Sequence, residues 1–321
     1  MKKALQSLIL LLAALLPQTV SADNVQLGDA NCDGFVDISD VSSLIDYLLG
    51  NDVGMFSPTN ADTDKDGEVG ISDVAMLIDA LLGNVDLNPP ETVTFTVNGV
   101  TFTMVTVEGG TFTMGATAEQ GNDADDWEKP VHQVTLSSYC IGQTEVTQAL
   151  WQAVMGSNPS YFQGDLQRPV EQVSWDDCQT FITRLNELTG KAFRFPTEAE
   201  WEYAARGGNK SLGYKYAGSN DINEVAWYWD NSSDGSKPVA TKAPNELGLY
   251  DMSGNVWEWC QDGFNHYSSD AQTNPIGPAL DYVRVGRGGC WDFDAWYCRV
   301  SNRGDIISTI TATDLGLRLA L

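Results

Sequence analysis

The chain has 321 residues, enough for two domains, and its 44 acidic and 18 basic residues give a formal net charge of −26. Phosphates would repel a surface of that sign, so the composition excludes nucleic acid as a partner. Six cysteines are too few for a fold that depends on a dense disulfide framework.

Residues 1–22 are typical of a cleaved secretory signal peptide. Lys2 and Lys3 precede an apolar run, and the small residues Val-Ser-Ala at 20–22 suit a signal peptidase. The run is short for a bilayer span, and the sequence has no other long apolar segment. We therefore expect an exported protein, extracellular or at the cell surface, that does not span a membrane and begins near Asp23.

Two acidic loops follow, DANCDGFVDISD from Asp29 and DTDKDGEVGISD from Asp62, offset by 33 residues. Both have oxygen-bearing side chains at EF-hand spacing and a glycine at loop position six. So many carboxylates would repel one another without a cation, and the repeated spacing disfavours two ordinary acidic turns. We therefore predict one calcium ion per loop. The ligands are Asp29, Asn31, Asp33, Phe35, Asp37 and Asp40 in the first loop, and Asp62, Asp64, Asp66, Glu68 and Asp73 in the second, with Phe35 and Glu68 contributing backbone carbonyls.

Each loop leads into a segment whose apolar residues have the spacing of one buried helical face, so the two helices can cover each other. These residues are Val41, Leu44, Ile45, Leu48 and Leu49 in the first segment, and Val74, Leu77, Ile78, Leu81 and Leu82 in the second. No helix is expected ahead of the second loop, because Gly54 and Pro58 interrupt that stretch.

The duplicated loop–helix unit, assigned to residues 23–84, resembles a dockerin, a small all-α module that docks exported proteins onto a cohesin. The resemblance implies two bound calcium ions and a cohesin-like protein partner. Loop positions ten and eleven, which dockerins use for partner choice, are Ile38-Ser39 and Ile71-Ser72. These pairs differ from the Ser-Thr type of familiar cellulosomal dockerins, so the particular partner stays open.

A linker at 85–92 separates this module from a second domain at 93–321. There, VTFTVNGVTFTMV alternates around Asn98-Gly99 and predicts a hairpin with a type I′ turn, and TFTMG predicts a further strand. Three helices are predicted downstream from their capping residues. They begin near Thr147, Ser174 and Thr197.

An ordered series of motifs spans nearly all of the second domain: GGTFTMG, EVTQALW, PVEQVSWDDC, FPTEAEWEYAARGG, PNELGLYDMSGNVWEWC, RVGRGG and LGLRLAL. In this order they resemble the formylglycine-generating enzyme, or sulfatase-modifying factor, family. The resemblance implies an α+β, C-type-lectin-like fold with little regular secondary structure. The family's enzymes oxidise a protein cysteine at a copper(I) site.

The copper site does not match in this sequence. Copper(I) is a soft ion that two thiolates can hold, but Phe293 stands at the family's first cysteine position and only Cys298 coincides with the second. Copper is therefore not expected as a cofactor. Cys290 and Cys298 remain candidate catalytic residues if they meet across the loop as a metal pair. The alternative is a disulfide between Cys260 and Cys298, with Cys140 and Cys290 either paired or buried; the connectivity cannot be read from the sequence.

Two other family metal sites can be compared with the sequence. The related iron enzymes use three histidines, whereas this chain has only His132 and His266. The family's calcium segment corresponds to LYDMSGNVWEW, and the resemblance implies a structural calcium ion there. Its ligands would be Asp251, Gly254, Val256 and Glu258, the middle two through backbone carbonyls. The alternative is a capped turn around an ordinary core tryptophan.

The segment 291–314, WDFDAWYCRVSNRGDIISTITATD, occupies the family's substrate cleft. Exposed aromatic residues beside polar groups are typical interface anchors. The candidate ligand-binding residues are Phe293, Asp294, Trp296, Tyr297, Asp305, Ile306 and Ile307, whereas Trp291 and Arg318 are interpreted as structural. The arrangement resembles the variable ligand-binding proteins of diversity-generating retroelements, which vary the final segment of this fold.

Together these features favour a secreted calcium-binding protein of two modules. One module docks to a cohesin-like partner, and the other binds an unknown protein or glycan ligand without catalysis. The first alternative is an oxidoreductase of the family that acts on protein cysteine and uses Cys298 with a second copper ligand elsewhere. The second alternative is a scaffold whose docked partner is the catalyst.

Overall fold

The computed structural model describes residues 26–83, 87, 91–122, 124–233, 235–278 and 282–321. The predicted signal peptide and most of the predicted linker lie outside these residues. The chain divides into two compact units, one up to Pro89 and one from Pro90 onward. Within the described ranges, no helix is long and apolar enough to cross a membrane.

The N-terminal unit contains the helices α1 (Ile38–Leu48), α2 (Pro58–Ala61) and α3 (Ile71–Leu81). Asp37 caps α1 by accepting a hydrogen bond from the Ser39 N–H. The two longer helices pack against each other around a small apolar core. Its buried members are Leu27, Ala30, Val41, Leu44, Ala61, Val74, Leu77 and Leu87.

Two expectations for this unit were wrong. A one-turn helix, α2, does precede the second loop, because Pro58 lies in its first turn, where a missing N–H leaves no hydrogen bond unmade. The buried helical face is also narrower than predicted, since the buried side chains of α1 and α3 are confined to their first two turns. The residues expected to be buried but found exposed are Ile45, Leu48, Leu49, Ile78, Leu81 and Leu82.

The larger unit is an α+β fold with three small sheets. Its strands are β1 (Thr92–Val97), β2 (Val100–Val107), β3 (Gly110–Met114), β4 (His132–Leu136), β5 (Tyr139–Gly142), β6 (Trp257–Gly263), β7 (Gln272–Thr273), β8 (Val283–Arg287), β9 (Arg303–Ile307) and β10 (Leu315–Leu317). The sheet orders are β1-β2-β5, β3-β4-β7 and β10-β6-β8-β9. The predicted hairpin is confirmed, because Asn98 and Gly99 both have positive φ and Val97 pairs with Val100.

The described part of this unit contains four α-helices: α4 (Gln148–Met155), α5 (Trp175–Thr189), α6 (Glu198–Ala205) and α7 (Ile222–Val225). The first three begin at the predicted caps Thr147, Ser174 and Thr197, whose side chains accept a backbone N–H of the first turn. Short 3-10 turns lie at Ala118–Gln120, Asp126–Glu128 and Gly208–Lys210.

Buried ion pairs tie the C-terminal part of the larger unit to its earlier segments. Four arginines, each buried, contact buried glutamates from distant parts of the chain. The pairs are Arg287–Glu202, Arg299–Glu128, Arg303–Glu198 and Arg318–Glu258. Trp291 and Arg318 are buried, in agreement with the structural roles predicted for them. Because an unpaired buried charge is strongly destabilising, each pair fixes where its two segments meet.

Candidate functional site

The first acidic loop is closed by the side chains at its first and last positions. The two oxygens of Asp29 accept backbone N–H groups, Oδ1 from Asp33 at 3.0 Å and Oδ2 from Gly34 at 3.1 Å. Asp40 is fully buried and accepts the N–H groups of Asn31 at 3.0 Å and Asp37 at 2.9 Å. The backbone therefore wraps around a set of carboxylates.

The second acidic loop repeats this arrangement. Asp62 accepts the Asp66 N–H at 3.1 Å, and buried Asp73 accepts the N–H groups of Asp64 at 3.1 Å and Gly70 at 2.7 Å. Carboxylate oxygens of Asp62, Asp64 and Asp66 lie within 4.8 Å of one another. Like charges at that spacing favour a cation between them, and an all-oxygen donor set suits calcium. The residues of this loop therefore fit the predicted ion.

The remaining predicted ligands of the loops have more varied surroundings. A hydrogen bond from Ser39 lowers the pKa of the Asp37 carboxyl, which serves as the cap of α1. The side chains of Phe35 and Glu68 are exposed, which is compatible with ligation through their backbone carbonyls. The individual ligand assignments stay predictions.

The expected calcium ligands of the larger unit lie in a buried polar cluster. Both oxygens of Glu258 are already engaged, by Arg318 at 2.6 and 2.9 Å and by the Trp201 indole N–H at 2.6 Å. Asp251 accepts the Ala240 N–H at 2.8 Å through Oδ2. Its other oxygen, Oδ1, is buried and has no hydrogen-bond partner in the described chain. Asp251 thus has an oxygen without a hydrogen-bond partner in the described chain, whereas both oxygens of Glu258 already accept hydrogen bonds.

A third buried carboxylate, Glu145, completes this cluster and accepts the Val256 N–H at 3.1 Å. Burial raises the pKa of Glu145 well above its usual range and that of Asp251 to about 6. Gly254 and Val256 are buried on the same turn. If all three carboxyls are ionised, the single guanidinium of Arg318 leaves negative charge that a divalent cation would balance, so the cluster fits calcium mainly through Asp251.

None of the six cysteines, all of which lie in the described part of the chain, forms a disulfide. The disulfides considered from the sequence are therefore not formed. Cys260 and Cys298 pack in separate apolar clusters, and Cys140 and Cys290, although they belong to the same cluster, stay free, with Cys290 buried. Burial raises the pKa of the Cys298 thiol to about 12 and that of Cys290 well above its usual value. A buried thiol of raised pKa is a poor source of the thiolate that copper(I) needs.

A pocket of about 450 Å³ lies in the region predicted to bind a ligand. Phe293 and Tyr297 contact each other edge to face, with ring centroids 4.7 Å apart, and Trp296 contacts Tyr297 at 4.9 Å. Trp257 lies 6.1 Å from Phe293. We call this cavity the aromatic pocket. Its lining residues include Asp125, Trp127, Trp257, Phe293, Trp296, Tyr297, Asn302, Arg303, Asp305, Ile306 and Asp314.

The structure brings together five of the seven predicted ligand-binding residues in the aromatic pocket: Phe293, Trp296, Tyr297, Asp305 and Ile306. Ile307 does not line it. Asp294 instead supports it, by accepting the Trp296 N–H at 2.9 Å. The sequence did not point to Asp125 and Trp127, because only the folded chain places them beside the segment 291–314, and it did not single out Asn302 within that segment.

The fold and the sites define a calcium-loop docking module followed by a lectin-like domain of the formylglycine-generating type. Residues 91–321 match the sulfatase-modifying factor enzyme 1-like domain, and residues 27–82 match the dockerin type I domain. The chain belongs to the sulfatase-modifying factor enzyme 1-like family and carries a dockerin type I module. Dockerin type I domains typically bind calcium, imply a cohesin partner, and occur on secreted or cell-surface proteins of cellulosome-like systems.

Relatives of the larger domain carry different names. The chain is similar to the chaperone protein LppX of Paenibacillus barcinonensis, at 34% identity over 67% of this chain and 88% of that protein. It is similar to the formylglycine-generating enzyme of Streptomyces coelicolor, at 30% identity over 67% of this chain and 88% of the enzyme. Among solved structures, Treponema denticola variable protein 1 matches with a TM-score of 0.65 and 36% identity, over 72% of this chain and 99% of that one. Family membership alone therefore does not decide between catalysis and binding.

Proposed function

We propose that this is a secreted, calcium-dependent binding protein of two modules. The dockerin module docks onto a cohesin, and the larger domain binds a protein or glycan ligand in the aromatic pocket without catalysis. One observation carries the second part of the proposal. A ring-lined cavity is retained in the candidate ligand-binding segment, while the two nearby cysteines, Cys290 and Cys298, are buried as thiols of raised pKa.

The docking face consists of apolar side chains that the calcium module leaves exposed. Ile38 and Ile71, at the same position of the two loops, are 69% and 76% exposed. Leu49 and Leu82, at the ends of the two helices, are 71% and 69% exposed. Exposed apolar residues repeated in this way suit a protein interface. Calcium would hold the loops, and with them both isoleucines, in position.

The docking proposal is tested by titrating the full-length chain against a panel of purified cohesin domains in calcium and in EGTA. We expect at least one cohesin to bind in calcium only. The double variant Ile38→Asp/Ile71→Asp should abolish that binding, because it places charges in an apolar interface. Leu212→Asp, at an exposed leucine of the other unit, is the control and should bind normally. Binding that survives EGTA or the double variant would overturn the proposed docking face.

The non-catalytic role is tested with a sulfatase-derived cysteine peptide, copper(I) and oxygen. We expect no aldehyde product with the full-length chain, because no thiolate pair is available to hold the copper. Conversion of the peptide cysteine to an aldehyde, lost in Cys298→Ser, would instead establish the oxidoreductase alternative.

A further inference from the structure

We propose that the aromatic pocket takes an alkylammonium group, such as the side chain of a lysine on a protein ligand. This inference rests on the proposed function, because it names the chemistry of the ligand that the same pocket binds. Three features support it: aromatic walls, carboxylates without a matching cation, and a buried acceptor that lacks a donor.

The walls of the pocket offer ring surface to a ligand. Phe293, Trp296 and Tyr297 are each only partly buried. Trp127, which is 43% exposed, lines the cavity from the 3-10 turn at Asp126–Glu128. A cation within roughly 6 Å of a ring centroid is attracted to the ring face. The protein makes the same kind of contact internally, where the Arg299 guanidinium lies 4.6 Å from the Trp296 ring.

The charges that face the pocket favour a cation. Asp125, Asp305 and Asp314 line the cavity, and Arg303 is the one basic residue among its described lining. The Arg303 charge is already balanced, because both oxygens of Glu198 accept from its guanidinium at 2.6 and 2.7 Å. The exposed Asp305 carboxylate has no side-chain partner in the described chain. An anionic ligand would therefore meet net repulsion.

One buried hydrogen-bonding atom that lines the pocket is an acceptor without a donor in the described chain. Asn302 is 2% exposed and lines the cavity, and its Oδ1 has no hydrogen-bond partner in the described chain. Asp314 accepts the Cys290 thiol at 3.3 Å, and burial raises the pKa of its carboxyl, whereas the Asp305 side chain is exposed. An ammonium group has three donors and no acceptor, which matches such a lining.

The test uses ligand-observed NMR titrations of the full-length chain with two probes, Nα-acetyl-lysine methylamide and Nα-acetyl-norleucine methylamide. The norleucine probe has an alkyl side chain but no ammonium group. We expect the lysine probe to bind at least about threefold more tightly, with a preference that shrinks as salt is added. Trp127→Leu and Asp305→Asn should each weaken lysine-probe binding roughly two- to tenfold. Glu187→Gln, an exposed acid of α5 outside the lining, should leave it unchanged.

Several results would overturn this inference. Equal affinity for the two probes would show that the pocket does not select the ammonium, although it still binds a ligand. Tighter binding of methyl β-glucoside than of the lysine probe would indicate a carbohydrate site. Failure of the lysine probe to bind would also reject the assignment. The proposed function fails on a different result, aldehyde formation from the cysteine peptide, which does not depend on these probes.

Discussion

At the scale of single residues, Asp73 is the side chain that closes the second acidic loop. It accepts the backbone N–H groups of Asp64 and Gly70, and it occupies loop position twelve, where calcium loops place a carboxylate ligand. Asp73→Ala removes both acceptors and the ligand. Isothermal titration of the full-length chain with calcium should therefore show one equivalent fewer than the wild type.

Glu68→Gln is the matched control for Asp73→Ala. Glu68 lies in the same loop, but its side chain is exposed and its predicted ligand atom is a backbone carbonyl. The calcium stoichiometry of Glu68→Gln should equal that of the wild type. A full complement of calcium in Asp73→Ala, or a loss in Glu68→Gln, would contradict the loop assignment.

Asp251 provides a separate prediction for the larger domain. Its Oδ1 is buried and has no hydrogen-bond partner among the described residues, and the Glu145, Glu258 and Arg318 side chains lie in the same cluster. We expect the wild type to bind a third calcium ion and Asp251→Asn to lose it, because the amide removes the negative charge from the best-placed ligand. The same titration measures this, and a third equivalent that persists in Asp251→Asn would disprove the site.

Asp262 is a buried carboxyl whose oxygens accept the N–H groups of Glu198 at 2.8 Å and Gly277 at 2.5 Å. Burial, with a smaller effect from the Glu198 charge, raises its pKa to about 6. The unfolded carboxyl titrates near pH ~3.9, so the folded chain holds an extra proton between these values. The contribution of Asp262 to the free energy of unfolding should therefore decrease as the pH rises from about 4 to about 7.

Asp262→Asn isolates this effect, because the amide does not titrate. The wild-type free energy of unfolding, minus that of the variant, should fall by about 3 kcal/mol over the same pH range. Chemical denaturation at a series of pH values measures the difference. A difference that is constant, or that grows with pH, would rule out the raised pKa.

At the scale of elements, an ion pair between Glu128 and Arg299 holds the 3-10 turn at Asp126–Glu128 against the segment 291–314. Arg299 donates to the two oxygens of Glu128 at 2.8 and 2.7 Å, and to the Trp296 carbonyl at 2.9 Å. Glu128→Gln leaves the buried guanidinium without a counter-charge. We expect the free energy of unfolding to fall by about 3–5 kcal/mol.

A double variant separates this ion pair from a general packing defect. Glu128→Gln/Arg299→Gln removes both charges, so it should be less destabilised than the sum of the two single variants. Denaturant unfolding of the three variants gives the coupling energy. Strictly additive losses would mean that the two side chains do not act as a pair.

The sequence predicted the elements whose signals are local. The caps of α5 and α6 and the Asn98-Gly99 turn each depend on residues within a few positions of one another. By contrast, β6 pairs in parallel with β10, and β4 with β7, across long stretches of chain that no local pattern connects. The aromatic pocket shows the same division. Its lining residues in the segment 291–314 were predicted from the sequence, whereas Trp127 lines the pocket only because the folded chain places it there.

At the scale of the whole molecule, negative charge is concentrated in the docking module. Residues 23–91 contain fifteen acidic residues and one lysine, a net charge of −14 out of the chain's −26. Two bound calcium ions would neutralise four of these charges and reduce the self-repulsion of the acidic loops. Calcium would thus both offset the charge of this module and hold its loops in the arrangement that docks. In the larger domain, by contrast, buried ion pairs hold distant segments together.

We infer that the larger domain keeps a lectin-like body and a ligand pocket but lacks the thiolate couple of the family's oxidases. Copper(I) titration of the full-length chain against a competing chelator tests it most directly, with Cys298→Ser as the comparison. We predict identical copper binding by the two proteins, because the Cys298 thiol is buried and protonated. One tightly bound equivalent of copper(I) in the wild type that is absent from Cys298→Ser would contradict the account.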